Sequence, residues 1–259
     1  MKGSVLRGLR AAGEIMLPRI CLVCGQRLLL DEKHLCLSCL ADLPLTFFWS
    51  TSHNLMADRF NEMIQKRGPA DHERYVFAAS LIFYHSEAEY RLIPYQIKYH
   101  GNISAGHFFG RMLGSRLATS EQFADVDAVV PVPLHWTRRL KRGYNQAEII
   151  ASAAAEVMGA SLRTDLLKRR RRTRTQTKME VEDKVSNVTG AFMASAGDSA
   201  TDSGGEQRTG DRSGIRHILI IDDVFTTGST LWACFNALRR VFPPSVRISV
   251  ATLAFVGRA

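Results

Sequence analysis

The 259-residue sequence predicts an α/β fold: a mostly parallel sheet flanked by helices, with a small zinc-ribbon-like module ahead of it. Three observations carry this expectation. Short apolar, β-branched runs alternate with stretches of helical periodicity, the pattern of strand–helix–strand crossovers. One run, Ile218 to Thr230 (ILIIDDVFTTGST), passes from an apolar strand through paired acids into small hydroxyl residues, and a helical pattern follows. Near the amino terminus, four cysteines form two C-x-x-C pairs.

The elements follow in chain order. Residues 1–18 (MKGSVLRGLRAAGEIMLP) are interrupted by Arg7, Arg10 and Glu14, so they lack the unbroken apolar centre of a secretion signal. Their spacing suits an amphipathic helix with Val5, Leu6, Leu9 and Ala12 on one side. No apolar run reaches bilayer length, so no integral membrane association is expected and the cytoplasm is the expected location.

Cys21 and Cys24, then Cys36 and Cys39, can each place two thiolates on one turn, and together they complete a tetrahedral S₄ set for structural Zn²⁺. A redox dithiol needs one pair only, and a disulfide framework does not suit a cytoplasmic chain. Four thiolates leave no open position, so the metal is expected to staple rather than react. His34 is a conceivable substitute ligand, with a spectator role the expected one. The module is read as 1–45, a connector with one helix near Asn54 to Lys66 as 46–72, and the main domain as 73–259.

In that domain Val76 to Tyr84 reads as a strand, and Glu87 to Tyr99 and Asn102 to Ala118 as helices separated at Gly101. Val126 to Val132 is an apolar strand, Gln146 to Met158 a helix closed by Gly159, and Ile248 to Val256 a last strand. The Ser/Gly/Asp-rich stretch 195–214 carries almost no apolar residue and reads as a flexible insert.

The chemistry concentrates after the strand that begins at Ile218. Thr226, Thr227, Gly228, Ser229 and Thr230 offer backbone N–H groups and hydroxyls at a helix amino terminus, a fit for a phosphate dianion. Asp222 and Asp223 stand beside it, able to accept hydrogen bonds from sugar hydroxyls. A sugar phosphate is the natural ligand. Arg138 and Arg142, in PVPLHWTRRLKRGYNQA after another strand, face the cradle if the two strands are neighbours, and they suit a diphosphate leaving group. The formal net charge is +9, and eight basic residues against one acid fall between Arg163 and Lys178. That run contains Arg169, Arg170, Arg171, Arg172 and Arg174, a candidate nucleic-acid surface. Trp136, Tyr144 and Phe225 are candidate stacking rings, with packing the more ordinary role for each.

The segment Ile218 to Thr230 resembles the phosphoribosyl-pyrophosphate motif of type I phosphoribosyltransferases. The cysteine pairs, PVPLH…R…RGYNQA, TRTQTK with Asn187-Val188 and Phe192, and the late DDVFTTGST together resemble the ComF family, across nearly the whole chain. That resemblance implies a type I phosphoribosyltransferase-like fold binding phosphoribosyl pyrophosphate with Mg²⁺. Thr226 to Thr230 would hold the 5′-phosphate, Asp222 and Asp223 the ribose hydroxyls, and Arg138, Arg142, Lys178 and Lys184 the pyrophosphate side. Lys184 stands where the family usually has arginine. The resemblance also implies a role in DNA uptake during natural competence, with single-stranded DNA and a competence helicase as partners. A non-catalytic DNA-binding protein on the same fold is the other implied function.

Overall fold

The structure is a computed structural model that describes residues 19–67, 74–85, 89–169, 191–195 and 214–257. The expected helix in 1–18, most of the insert at 195–214, Arg170, Arg171, Arg172, Arg174, Lys178 and Lys184 lie outside them. Fourteen helices and strands of the described chain are labelled here: α1 (Leu37–Ala41), α2 (Leu55–Arg67), β1 (Ala78–Tyr84), α3 (Leu92–Tyr99), α4 (Ile103–Ala118), β2 (Ala128–Pro131), α5 (Trp136–Arg142), α6 (Gln146–Met158), β3 (Ser161–Leu162), β4 (Leu167–Arg169), β5 (Phe192–Ala194), β6 (His217–Phe225), α7 (Ser229–Arg239) and β7 (Arg247–Val256).

Five strands form one sheet in the order β1-β7-β6-β2-β3, with every pairing parallel. β6 and β7 bury nearly every residue, including consecutive ones, which requires cover on both faces and explains why their sequences do not alternate. Two helix pairs supply that cover: α4 with α6, and α2 with α7. From β2 the chain moves outward to β3; from β6 it moves the other way to β7. The gap between the carboxyl ends of β2 and β6 is therefore the topological switch point, where open α/β sheets bind ligands. The expected parallel α/β architecture is the observed one.

Local signals explain the elements. Asn54 caps α2 by accepting from the backbone N–H of Met56 and Ala57, and its amide ties the helix to Ala78 on β1. Asn102 caps α4 through the Ala105 N–H at 2.9 Å. Gly159, φ 68°, ends α6 where the sequence placed the stop. The 3₁₀ turn Phe48–Ser50 buries Phe48 and Trp49, with Phe48 edge-on to Phe83 and Phe255.

α4 and α6 approach so closely that Gly114 has no room for a side chain. A Cβ there would stand 2.8 Å from the Cα and carbonyl oxygen of Ala154. Gly114→Ala should therefore destabilise by about 1–3 kcal/mol through overpacking, even though alanine is the better helix former by about 1 kcal/mol. A lower Tm in thermal unfolding checks this; a raised Tm would show that the helices part at no cost.

Three features went unpredicted. α5 is a separate helix between β2 and α6, closed by Gly143, rather than the start of the next one. β4 and β5 form a two-stranded antiparallel ribbon, Arg169 opposite Phe192, and β3 adds two residues to the sheet edge. Runs of two or three residues carry too little periodicity to read. Among the described residues no helix is long and apolar enough to cross a membrane.

Candidate functional site

The switch-point crevice has a volume of about 220 Å³, and both sequence constellations meet in it. β6 delivers Asp222 and Asp223 near its carboxyl end, two residues before the loop. The exit of β2 delivers Val132 and Pro133, and α5 delivers Arg138 and Arg142. Asn145, buried at the start of α6, donates to the Val132 carbonyl at 3.1 Å and so fixes the β2 exit against that helix. His135 caps α5, its Nδ1 accepting from the Thr137 N–H at 3.3 Å. The two arginines and two acids predicted to share a site do line one cavity.

Lys98 was not predicted, and it belongs here. Its Nζ lies 2.9 Å from Asp223 Oδ2, and both side chains are mostly buried. Burial pulls the lysine down, but the Asp223 carboxylate outweighs it, so the ammonium is held charged. A sequence signal existed: Lys98 follows the buried Pro94 by four positions and so shares the inward side of α3.

Of the five arginines read as a nucleic-acid surface, Arg169 alone lies among the described residues. It lines the crevice instead of an outer surface, with its guanidinium 5.0 Å over the Phe192 ring. Burial and then the neighbouring Arg138 charge lower its pKa. Gln146 is 2% exposed, and its Oε1 accepts from Arg142 at 3.0 Å. Its Nε2 is buried at the crevice with no hydrogen-bond partner among the described residues. A buried donor left without an acceptor is costly, so this one fits a ligand oxygen.

The loop after β6 turns directly into a helix start. Gly228, φ 76°, turns the chain into α7, whose first turn closes through Trp232 N–H to the Gly228 carbonyl at 2.9 Å. Thr227 and Ser229 hydroxyls lie 2.9 Å apart, and no acid stands in the first turn. Phe225 is 1% exposed and packs on Phe255 beneath the loop, so it is a floor and not a stacking ring. Trp136 is 64% exposed; Tyr144 is held by its hydroxyl on the Ile97 carbonyl.

Asp222 keeps part of its surface open to the crevice, yet its carboxyl is pushed up to about 7, first by burial and then by the Asp223 charge. The unfolded value is about 3.9, so between about pH 4 and 7 the folded chain holds a proton the unfolded chain has released. Stability from this group is therefore lost as pH rises across that window. Asp222→Asn should raise Tm relative to the parent at about pH 8 and much less at about pH 5. Equal gains at the two pH values would refute the cause.

The four thiols of Cys21, Cys24, Cys36 and Cys39 lie within 4.8 Å of one another, and all four are free. Cys24 Sγ and Cys36 Sγ are 3.7 Å apart. A tetrahedron with Zn–S bonds of about 2.3 Å has edges of about 3.8 Å, so the set fits zinc. Burial raises the Cys21 thiol, but backbone N–H groups of Cys36, Cys24 and Val23 outweigh it and bring it to about 7. His34 stays apart, bonding Ser104 at 3.2 Å and packing on Phe108, so it is not the alternative ligand. Cys234 is fully buried in α7 and belongs to the core.

A third constellation has triad connectivity without triad chemistry. Ser249 Oγ meets His217 Nε2 at 2.8 Å, and His217 Nδ1 meets Asp125 at 2.9 Å. Ser249 is 2% exposed and His217 fully buried, at the amino ends of β6 and β7, away from the crevice. No substrate reaches that hydroxyl.

No family model matches the chain. It is 27% identical over 122 residues to Competence protein F of Haemophilus influenzae, covering 47% of this chain and 48% of that protein. It is 28% identical over 122 residues to the DNA utilization protein YhgH of Salmonella typhi, covering 47% of each. The Escherichia coli protein of that name is 27% identical over 137 residues, 53% of each chain. The chain thus spans about half the length of the curated relatives it matches. These similarities support the ComF-family resemblance that the motifs carry.

Proposed function

We propose that the crevice binds phosphoribosyl pyrophosphate and transfers its phosphoribosyl group to a nitrogen acceptor, and that the protein acts in DNA uptake. The observation that carries the reading is the meeting, at the switch point, of a hydroxyl-rich helix start, twin acids and a cationic wall. In it Thr226 to Thr230 hold the 5′-phosphate with backbone N–H groups and hydroxyls. Asp222 and Asp223 accept from the ribose hydroxyls. Arg138, Arg142 and Arg169, with the Gln146 amide, bind the diphosphate and gain strength as it leaves with the electron pair of the C1–O bond. Bound to the ribose in this way, the carboxylates would stabilise the positive C1 that remains. Lys178 and Lys184, outside the described residues, are assigned by resemblance to closing over the site and excluding water.

Asp222 and Asp223 are the only acids lining the crevice among the described residues, too few for a protein cage around a hard cation. That fits Mg²⁺ carried in on the diphosphate, where it neutralises leaving charge. Titrating the protein with phosphoribosyl pyrophosphate and Mg²⁺, by calorimetry and then by pyrophosphate release with a panel of nitrogenous bases present as acceptors, tests the proposal. Micromolar binding with release supports transfer; binding without release leaves a sensor; no binding ends the reading.

The second reading, a binder of single-stranded DNA alongside a competence helicase, also has an observation behind it. A groove of about 630 Å³ between the cysteine module and α4 is lined by Lys33, His34, His107, Arg111 and Arg116, with Phe108 among them and no acid. The relatives' names point toward DNA. Oligonucleotide affinity should fall steeply with salt, and Lys33→Ala with Arg116→Ala should lower that slope by about two. No binding at low salt would dispose of it.

A further inference from the structure

Beside the crevice lies a larger cavity of about 580 Å³. Lys98, Arg138 and Arg142 line both, so they form the boundary between them. Beyond that boundary the walls are Tyr99, Lys141 and Tyr144, and no carboxylate lines the space. Tyr99 is 61% exposed, with the Arg142 guanidinium 5.2 Å over its ring. Tyr144 is anchored by its hydroxyl to the Ile97 carbonyl in α3.

A diphosphate needs cations but has no use for aromatic walls, and this volume lies in the range of small-molecule pockets, about 300–1,000 Å³. Flat rings pack on tyrosine faces. A wall of cations without a carboxylate favours the charged form of an acid and disfavours a neutral or cationic guest. We propose that this second cavity is the acceptor subsite, and that it selects a planar nitrogen heterocycle carrying its own negative charge, held by Tyr99 and Lys141. The inference rests on the transferase reading and adds the acceptor's chemical class to it. In the step, the ring nitrogen's lone pair forms the C1–N bond while the C1–O bond breaks. The electron pair of C1–O leaves on diphosphate, which also takes the proton released by the nitrogen. The same cations that hold the diphosphate lower the cost of an anionic ring nearby, so both substrates draw on one boundary.

The test is calorimetry on the full zinc-loaded chain with two probes that differ by one carboxylate, orotate and uracil, together with a separate phosphoribosyl-pyrophosphate titration. Orotate should bind at least about tenfold tighter than uracil, and Lys141→Glu should erase that preference. Tyr99→Ala should weaken both rings by a larger factor than it weakens phosphoribosyl pyrophosphate, whose ligand Arg142 rests on that ring. Both substitutions fall on exposed side chains, and unchanged Tm values confirm the fold. Equal affinity for the two probes, binding of neither, or a preference untouched by Lys141→Glu overturns the anionic subsite whatever the donor does. Orotate preference without donor binding keeps the cavity's selectivity and removes the transferase reading beneath it.

Discussion

Asp223→Ala is expected to weaken phosphoribosyl-pyrophosphate binding more than about 100-fold, the loss of a charge-assisted acceptor pair. The structure adds a second consequence. Asp223 is the counter-charge of Lys98 at 2.9 Å, and the lysine side chain is 28% exposed. Removing one partner of a fully buried pair costs about 3–5 kcal/mol; this pair is partly solvated, so about 2 kcal/mol is the expected loss. The paired variant Lys98→Met with Asp223→Leu should recover most of that stability and none of the binding. Calorimetry with Mg²⁺ reads the first effect and denaturant unfolding the second. Unchanged donor affinity in a folded Asp223→Ala protein would end the assignment of the acids to the sugar.

Stripping the metal should have the largest effect on stability. The cysteine module has few buried apolar residues of its own, among them Val23, Leu28 and Leu35. Structural zinc sites supply about 10–16 kcal/mol of folding free energy in isolated fingers, far beyond what such a core returns. After chelation, hydrogen exchange should therefore show loss of protection across residues 19–43. The module is tied onward by Phe83 N–H to the Pro44 carbonyl, Thr46 N–H to Leu81 and Tyr90 Oη–H to the Cys39 carbonyl. Protection should accordingly weaken along β1, an edge strand, and persist in β6, two strands inward. Donor binding should stay within about threefold, because the cradle draws on β6 and α7. A module that stays protected at zero metal content would show the zinc to be dispensable.

The residues that announced themselves did so through short-range patterns. Gln146 to Met158 with Gly159 behind it is a helix and its stop, and it folds with those bounds. The C-x-x-C pairs needed only their spacing to bring four thiols together. Thr226 to Thr230 read as a cradle because a glycine, hydroxyls and a helical pattern are contiguous. Lys98 gave a weaker sign, since one lysine on an apolar helix usually reaches for solvent. Arg169 was assigned to a nucleic-acid surface by its charged neighbours, yet its strand turns it into the crevice over Phe192. Phe225 read as a stacking ring or, more readily, as packing, and it does pack beneath the loop, so close that a Cβ on Gly228 would stand 2.7 Å from its ring.

By itself the amino-acid order determined the alternation of strands and helices, the cysteine knuckles and the anion-binding turn, because each depends on residues within one or two turns of one another. Only the tertiary structure decided that β2 and β6 are neighbours, that the sheet reverses between them, and that Lys98 and Arg169 close on the twin acids. The reason is physical. Strand order and crevice walls are set by how whole apolar faces pack, and periodicity along one segment does not record which other segment will cover it.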